Sequence, residues 1–153
     1  MRLISLSANK NSFKTVRFNQ SGLSLILAKQ KNPESTDLRR TYNGVGKSLL
    51  VALIHFCLGS SPNIHLESAL PDWQFSLAFK IGDNKHTTIR NTRTQSKINF
   101  DGNEVSIKEL HSILAGKLFS LETFPSGMTF KSLFSRFIRP KKDSYISFDS
   151  INR

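Results

Sequence analysis

Apolar and polar positions along this chain change period several times, and each change marks an element. Leu3, Ile4 and Leu6 make Arg2–Ser7 strand-like, and Asn9–Asn11 reads as a turn. Phe13, Val16 and Phe18, with Lys14 and Arg17 between them, predict a second strand over Phe13–Phe18. After a turn at Asn19–Gly22, Leu23–Ala28 reads as a third strand. Lys29–Thr41 is polar, contains Pro33 and has no period, so it is a long loop. It is either a solvated insertion or a loop that carries Arg39 or Arg40 over bound phosphates.

The period then becomes helical. Lys47–Leu58 has only His55 polar after Ser48, which predicts a buried helix that stops at Gly59. Trp73, Phe75, Leu77 and Phe79 alternate with polar or small residues, which predicts a strand over Trp73–Ile81. Gly82-Asp83-Asn84 turns it, and His86–Thr92 pairs back. Lys97–Phe100 and Glu104–Ile107 flank Asp101-Gly102-Asn103, a hairpin signal. Ser106-Ile107-Lys108-Glu109 is a capping box that opens a helix over Lys108–Leu121. Pro125-Ser126-Gly127 ends it, Phe130–Ile138 reads as a short basic helix, and 141–153 is an aperiodic tail. The expected fold is mixed α/β. The Lys47–Leu58 helix packs between a short central mixed sheet and an antiparallel meander, in one domain over 1–140.

Composition narrows the partners. The 153 residues carry 22 basic and 11 acidic side chains, a net charge of +11, which favours polyanions. A lone Cys57 in an apolar helix argues against disulfides and a zinc site and suits a reducing cytoplasm. His55 and His65 read as packed or capping histidines. The longest apolar run, Leu49–Leu58, is far below the ~20 residues that span a bilayer, and no signal core follows Met1.

The candidate chemistry lies at Asn43-Gly44-Val45-Gly46-Lys47-Ser48-Leu49. Strand, glycine-rich turn and helix are the context of a phosphate-binding loop. Gly44 and Gly46 let backbone N–H groups approach phosphate oxygens, and the helix start adds partial positive charge. Lys47 can reach the β- and γ-phosphates, and the Ser48 hydroxyl can ligate Mg²⁺. The first glycine of the full pattern is replaced by Thr41. A second candidate surface joins Arg90, Arg93 and Lys97 with Lys131, Arg136, Arg139, Lys141 and Lys142. It is either a contact for a DNA or RNA backbone or a solvated basic face.

Several of these residues together resemble a family. A hairpin with Asn11-Ser12-Phe13-Lys14, a strand, Asn43–Ser48, and a helix ending Phe56-Cys57-Leu58-Gly59 resemble the amino-terminal lobe of an ABC-type P-loop ATPase head. Structural-maintenance-of-chromosomes and recombination-repair heads are of this kind. The stretch from Thr41 to Leu50 with Leu53–Gly59 is most similar to the coiled-coil ATPases of bacterial three-component ABC systems. The resemblance implies ATP and Mg²⁺ as cofactors, and a role in DNA repair or mobile-element defence. Asn43–Leu49 would cradle the phosphates, Ser48 would hold Mg²⁺, and Lys14 would lie near the nucleotide; read by itself, Lys14 is equally an ordinary strand edge.

The strand ending in Asp-Glu, the Ser-Gly-Gly signature and the coiled coil of such heads have no match here; Tyr145–Asp149 lacks the following Glu. The resemblance therefore implies a lobe that binds ATP but does not hydrolyse it alone. Its partner would be a carboxy-terminal lobe or a second head in a homodimer. The competing expectation is a nucleic-acid-binding or partner-docking module with a vestigial P-loop. A membrane partner is not expected.

Overall fold

The computed structural model describes residues 1–27, 46–121 and 128–134. Within them, strands β1 (Arg2–Ala8), β2 (Val16–Arg17), β3 (Gln74–Ile81), β4 (Asn84–Asn91), β5 (Lys97–Phe100) and β6 (Asn103–Ser106) form one sheet in the order β2-β1-β3-β4-β5-β6. Every pairing is antiparallel. Helices α1 (Lys47–Cys57), α2 (Ile64–Ala69), α3 (Ile107–Phe119) and α4 (Phe130–Phe134) complete the described elements. None is long and apolar enough to cross a membrane. The protein is thus a small α/β structure, and its described sheet is antiparallel, where a mixed central sheet was expected.

The alternation read in the sequence sets the faces. Phe75, Leu77 and Phe79 of β3 are buried, while Ser76, Ala78 and Lys80 between them are half-buried. Successive strand residues point to opposite faces, so a single row of three apolar residues clads one side only. Register carries that side across the sheet: Leu6 faces Leu77, Leu77 faces Thr88, and Thr88 faces Phe100. These join Leu50, Leu53, Phe56, Leu110 and Leu114 in one core. Phe56 meets Phe75 edge to face, with ring centroids 6.4 Å apart.

A tight turn and a helix cap hold the end of the meander. Asp101 and Gly102 both take positive φ, +49° and +92°, between the paired residues Phe100 and Asn103. That is the backbone of a two-residue hairpin whose twist matches its strands. The Asp101 carboxylate accepts the Thr87 N–H at 2.7 Å and faces His86 Nδ1 at 2.6 Å, tying this turn to β4. At α3, Ser106 and Glu109 form the expected capping box. The bonds that it supplies hold the Glu109 carboxyl below its usual range.

Other expectations are corrected. Phe13–Phe18 contributes only Val16–Arg17 as strand. Leu23–Leu27 makes no strand, although its residues favour one, because no neighbour pairs with it among the described residues. Leu23, Leu25 and Leu27 are 80%, 70% and 67% exposed. Helix α1 is not buried all round: Leu50, Leu53, Ile54, Phe56 and Cys57 are buried, and Leu49 and Ala52 are exposed. Helix α2 was not foreseen; Asn63 caps it by accepting the N–H groups of His65 and Leu66. His65 is exposed. The basic helix is described over Phe130–Phe134. Ala28, the 29–41 loop, the Pro125–Gly127 break, 135–138 and the tail lie outside the described residues.

His55 gives the fold a response to acid. Its ring packs edge to face on Phe134, and its Nε2 is buried with no hydrogen-bond partner. Burial holds its pKa below the usual histidine value, so the neutral ring is the folded form. The unfolded chain takes up this proton near pH 6.5. The contribution is therefore complete above about pH 6.5 and is lost as the pH falls below it. Thermal melts of the wild type and His55→Leu should show a smaller acid-induced drop in Tm for the variant between about pH 7.5 and about pH 5.5. Equal drops would exclude His55 as a source of acid sensitivity.

Candidate nucleotide-binding site

Helix α1 begins at Gly46, which takes φ +82°. A residue with a Cβ is strained in that left-handed region, although the space around Gly46 is open within 4 Å. The demand for glycine here is thus conformational. The Leu50 N–H closes the first helical bond to the Gly46 carbonyl at 2.9 Å. The N–H groups of the first turn have no acceptor within the helix. No side chain among the described residues caps them, and the first turn holds no acidic residue.

Lys47, Ser48 and Leu49 are all exposed on that turn. A cation at a helix amino terminus opposes the helix dipole by about 0.3–1 kcal/mol. The usual stabilising choices are therefore reversed here: no cap, no acid, and a lysine. What remains is a ring of donors with a positive charge, the chemistry that holds an anion.

The other end of α1 is firmly anchored. Gly59 takes φ +88° just past the helix, and the Ser60 N–H donates to the His55 carbonyl at 3.0 Å while the Gly59 N–H donates to the Phe56 carbonyl at 3.2 Å. Those two bonds are a Schellman stop. Gly59 also has His111 Nε2 only 2.7 Å from where a Cβ would stand.

Arg90 then locks this end onto the sheet. It is 1% exposed, on the clad face of β4. Its Nη1 donates to the carbonyls of Phe56, at 2.6 Å, and Ser60, at 2.9 Å; its Nε donates to the Gln95 carbonyl at 2.8 Å. Its guanidinium also lies 4.3 Å from the Phe56 ring centroid. Burial lowers its pKa to about 10, so it stays charged at neutral pH, at the negative end of the α1 dipole. Cys57 beside it is buried, and its thiol is pushed up to about 12 by that burial, so it is neutral and inert.

The expectations can now be placed. Gly46, Lys47, Ser48 and Leu49 come together at the head of α1. Asn43, Gly44 and Val45 lie outside the described residues. Lys14 is exposed in the β1–β2 connection, and no hydrogen bond among the described residues links it to Lys47 or Ser48. No group of three or more His, Cys, Asp or Glu that could hold a metal occurs among the described residues. Ser48, the expected Mg²⁺ ligand, is exposed on the first turn of α1.

The expected nucleic-acid surface is not assembled as foreseen. Arg90 is corrected outright: a buried guanidinium spent on carbonyls does not reach a phosphate backbone. Arg93 is exposed but faces Asp72 at 3.6 Å, and Lys97 is paired with Glu104. Lys131 lies in α4, and Arg136, Arg139, Lys141 and Lys142 fall outside the described residues. The anchoring role of Arg90 had a signal in the sequence. It alternates with His86 and Thr88, at positions that the hairpin register places opposite Phe75, Leu77 and Phe79.

No protein-family model matches the chain, and no curated protein matches it.

Proposed function

We propose that this chain is an ATP-binding lobe of a P-loop ATPase head, one that holds Mg-ATP at the start of α1 and does not hydrolyse it alone. The observation that carries this reading is the first turn of α1. Gly46 is left-handed, Lys47 and Ser48 are exposed, and among the described residues neither a cap nor an acid in the first turn quenches the open N–H groups. In this reading the N–H groups and Lys47 bind the β- and γ-phosphates, and Ser48 supplies one oxygen to Mg²⁺. Phosphoryl transfer also needs a carboxylate for the metal and a group to orient water. The first turn of α1 holds no acidic residue, and the described residues hold no cluster of three or more metal-ligating side chains.

The missing groups would come from a partner lobe or a second head. Two features support such a partner: the Leu23–Leu27 segment, strand-forming in composition yet unpaired, and the exposed Leu49 beside Lys47. An unpaired apolar segment of this kind is what a neighbouring strand covers.

Calorimetric titration of the full chain tests the proposal. Mg-ATP is expected to bind at about one site per chain, with weaker binding when EDTA removes the metal. GTP is expected to bind through the same phosphates, and ATP hydrolysis to remain at background. Absence of heat up to about 1 mM Mg-ATP would overturn the assignment for this chain.

A further inference from the structure

Among the described residues, the sheet has one face clad by helices and one bare face. Helices α1 and α3 pack on the first, and α4 packs on α3. On the bare face, register brings three cations into one row: Arg2 stands directly opposite Lys80, and Lys80 directly opposite Lys85. Arg17 lies on the same face, opposite Ser5. Adjacent strands are about 4.8 Å apart, so the row spans about 10 Å. Like charges directly opposite one another destabilise a sheet. This row therefore costs stability.

The Asp83 carboxyl shares the corner with Arg2 and Lys80 but forms no ion pair with either among the described residues. No carboxylate among them pairs with Arg2, Arg17, Lys80 or Lys85, although Arg93 and Lys97 each have one. Arg2 spends one donor on the Gln20 carbonyl and keeps the rest of its fork. A polar cleft of about 360 Å³ opens at this corner, lined by Met1, Arg2, Lys80, Gly82 and Asp83.

We propose that this bare face binds the phosphate backbone of a duplex nucleic acid. A duplex carries one negative charge per about 1.7 Å of its length, so a 10 Å row of cations meets several phosphates at once. On the same face Ser5 and Thr87 lie in the next row, with Arg17, and Ser76 and Asn99 in the row beyond it; hydroxyls and amides also hold phosphate oxygens. The face presents no aromatic side chain: the β3 and β5 aromatics Phe75, Phe79 and Phe100 all point to the core. Single-strand binders stack bases on such rings, so this surface suits a duplex read by its backbone. Its large aliphatic residues are two isolated, half-buried isoleucines, Ile89 and, at the β1 bulge, Ile4; neither stands exposed as an apolar wedge for a membrane. The surface is on the opposite side of the sheet from α1, so it stands or falls independently of the ATP proposal.

The test is fluorescence anisotropy of a labelled duplex of about 25 base pairs, titrated with the full chain over a salt series. Three proteins are compared: wild type, Lys80→Gln/Lys85→Gln, and Lys108→Gln/Lys117→Gln, whose exposed lysines lie on α3. The first variant should bind about 10-fold or more weakly at about 0.1 M salt, with a log–log salt slope shallower by about 1.8, near 0.9 for each lost contact. The α3 variant should match wild type, and a single strand of equal length should bind more weakly. Lys80→Arg/Lys85→Arg, which keeps both charges, should bind like wild type. The Gln pair should melt no lower than wild type, because it removes opposed charges. The proposal is overturned by equal weakening in the α3 variant, by tighter binding to the single strand or to phosphatidylserine vesicles, or by no duplex binding at low salt.

Discussion

Arg90→Ala is expected to cost about 3–5 kcal/mol of stability, a large part of the roughly 5–15 kcal/mol that holds a domain of this size. Two losses add. The carbonyls of Phe56, Ser60 and Gln95 lose charge-assisted bonds worth about 1.5–3 kcal/mol net, and a side chain that is 1% exposed leaves a void. Arg90→Met separates them, because it nearly refills the space and removes only the bonds; about 2 kcal/mol is expected for it. Arg90→Lys should fall close to Met, since one ammonium cannot reproduce a fork that serves three carbonyls. Urea denaturation of the three variants measures this order. A cost below about 1 kcal/mol for Arg90→Ala would show that α1 holds its place without the anchor.

The same variants connect packing to function. Arg90 grips the carboxy-terminal end of α1, and the helix is 11 residues long. At about 1.5 Å per residue, its open end lies roughly 16 Å away. A helix loosened at Phe56 and Ser60 no longer aims its first turn, so weaker nucleotide binding should accompany the loss of stability.

Lys47→Ala should separate the two properties completely. Lys47 is exposed, and no described residue hydrogen-bonds to its side chain, so the loss of that side chain should leave the fold intact. Removing a cation from a helix amino terminus should even stabilise α1, by about 0.3–1 kcal/mol. Mg-ATP affinity should fall by about 10- to 150-fold, the equivalent of about 1.5–3 kcal/mol for a charged hydrogen bond to phosphate. Calorimetry and a thermal melt on one preparation give both numbers. Retained affinity would refute the P-loop assignment. A fall in affinity with a fall in Tm would instead mean that Lys47 is structural.

Much of the meander was legible because its information is local. The alternation of Phe75, Leu77 and Phe79, the Asp101-Gly102 turn and the Ser106–Glu109 box each depend on residues within a few positions of one another. The same holds at α1, where Gly59 stops the helix and Gly46 with Lys47 and Ser48 opens it. Leu23–Leu27 was misread for the opposite reason. Strand propensity supplies a conformation but not a neighbour, and the described chain supplies no strand to pair with it. Helix α2 escaped notice because six residues are too few to show a period.

Charge is where sequence and tertiary structure part most clearly. The sequence by itself determined the number of cations, the placing of Gly46, Lys47 and Ser48 at the start of a helix, and the period of the meander strands. It did not determine which cations face water. Arg90 and Lys85 lie five residues apart on one strand, so their side chains point to opposite faces, one into the core and one outward. Only the stacking of α1 on a single side of the sheet made the first a structural anchor and left the second in an open row with Arg2 and Lys80. Strand period assigns residues to a face, whereas the choice of which face is covered belongs to contacts between elements far apart in the chain.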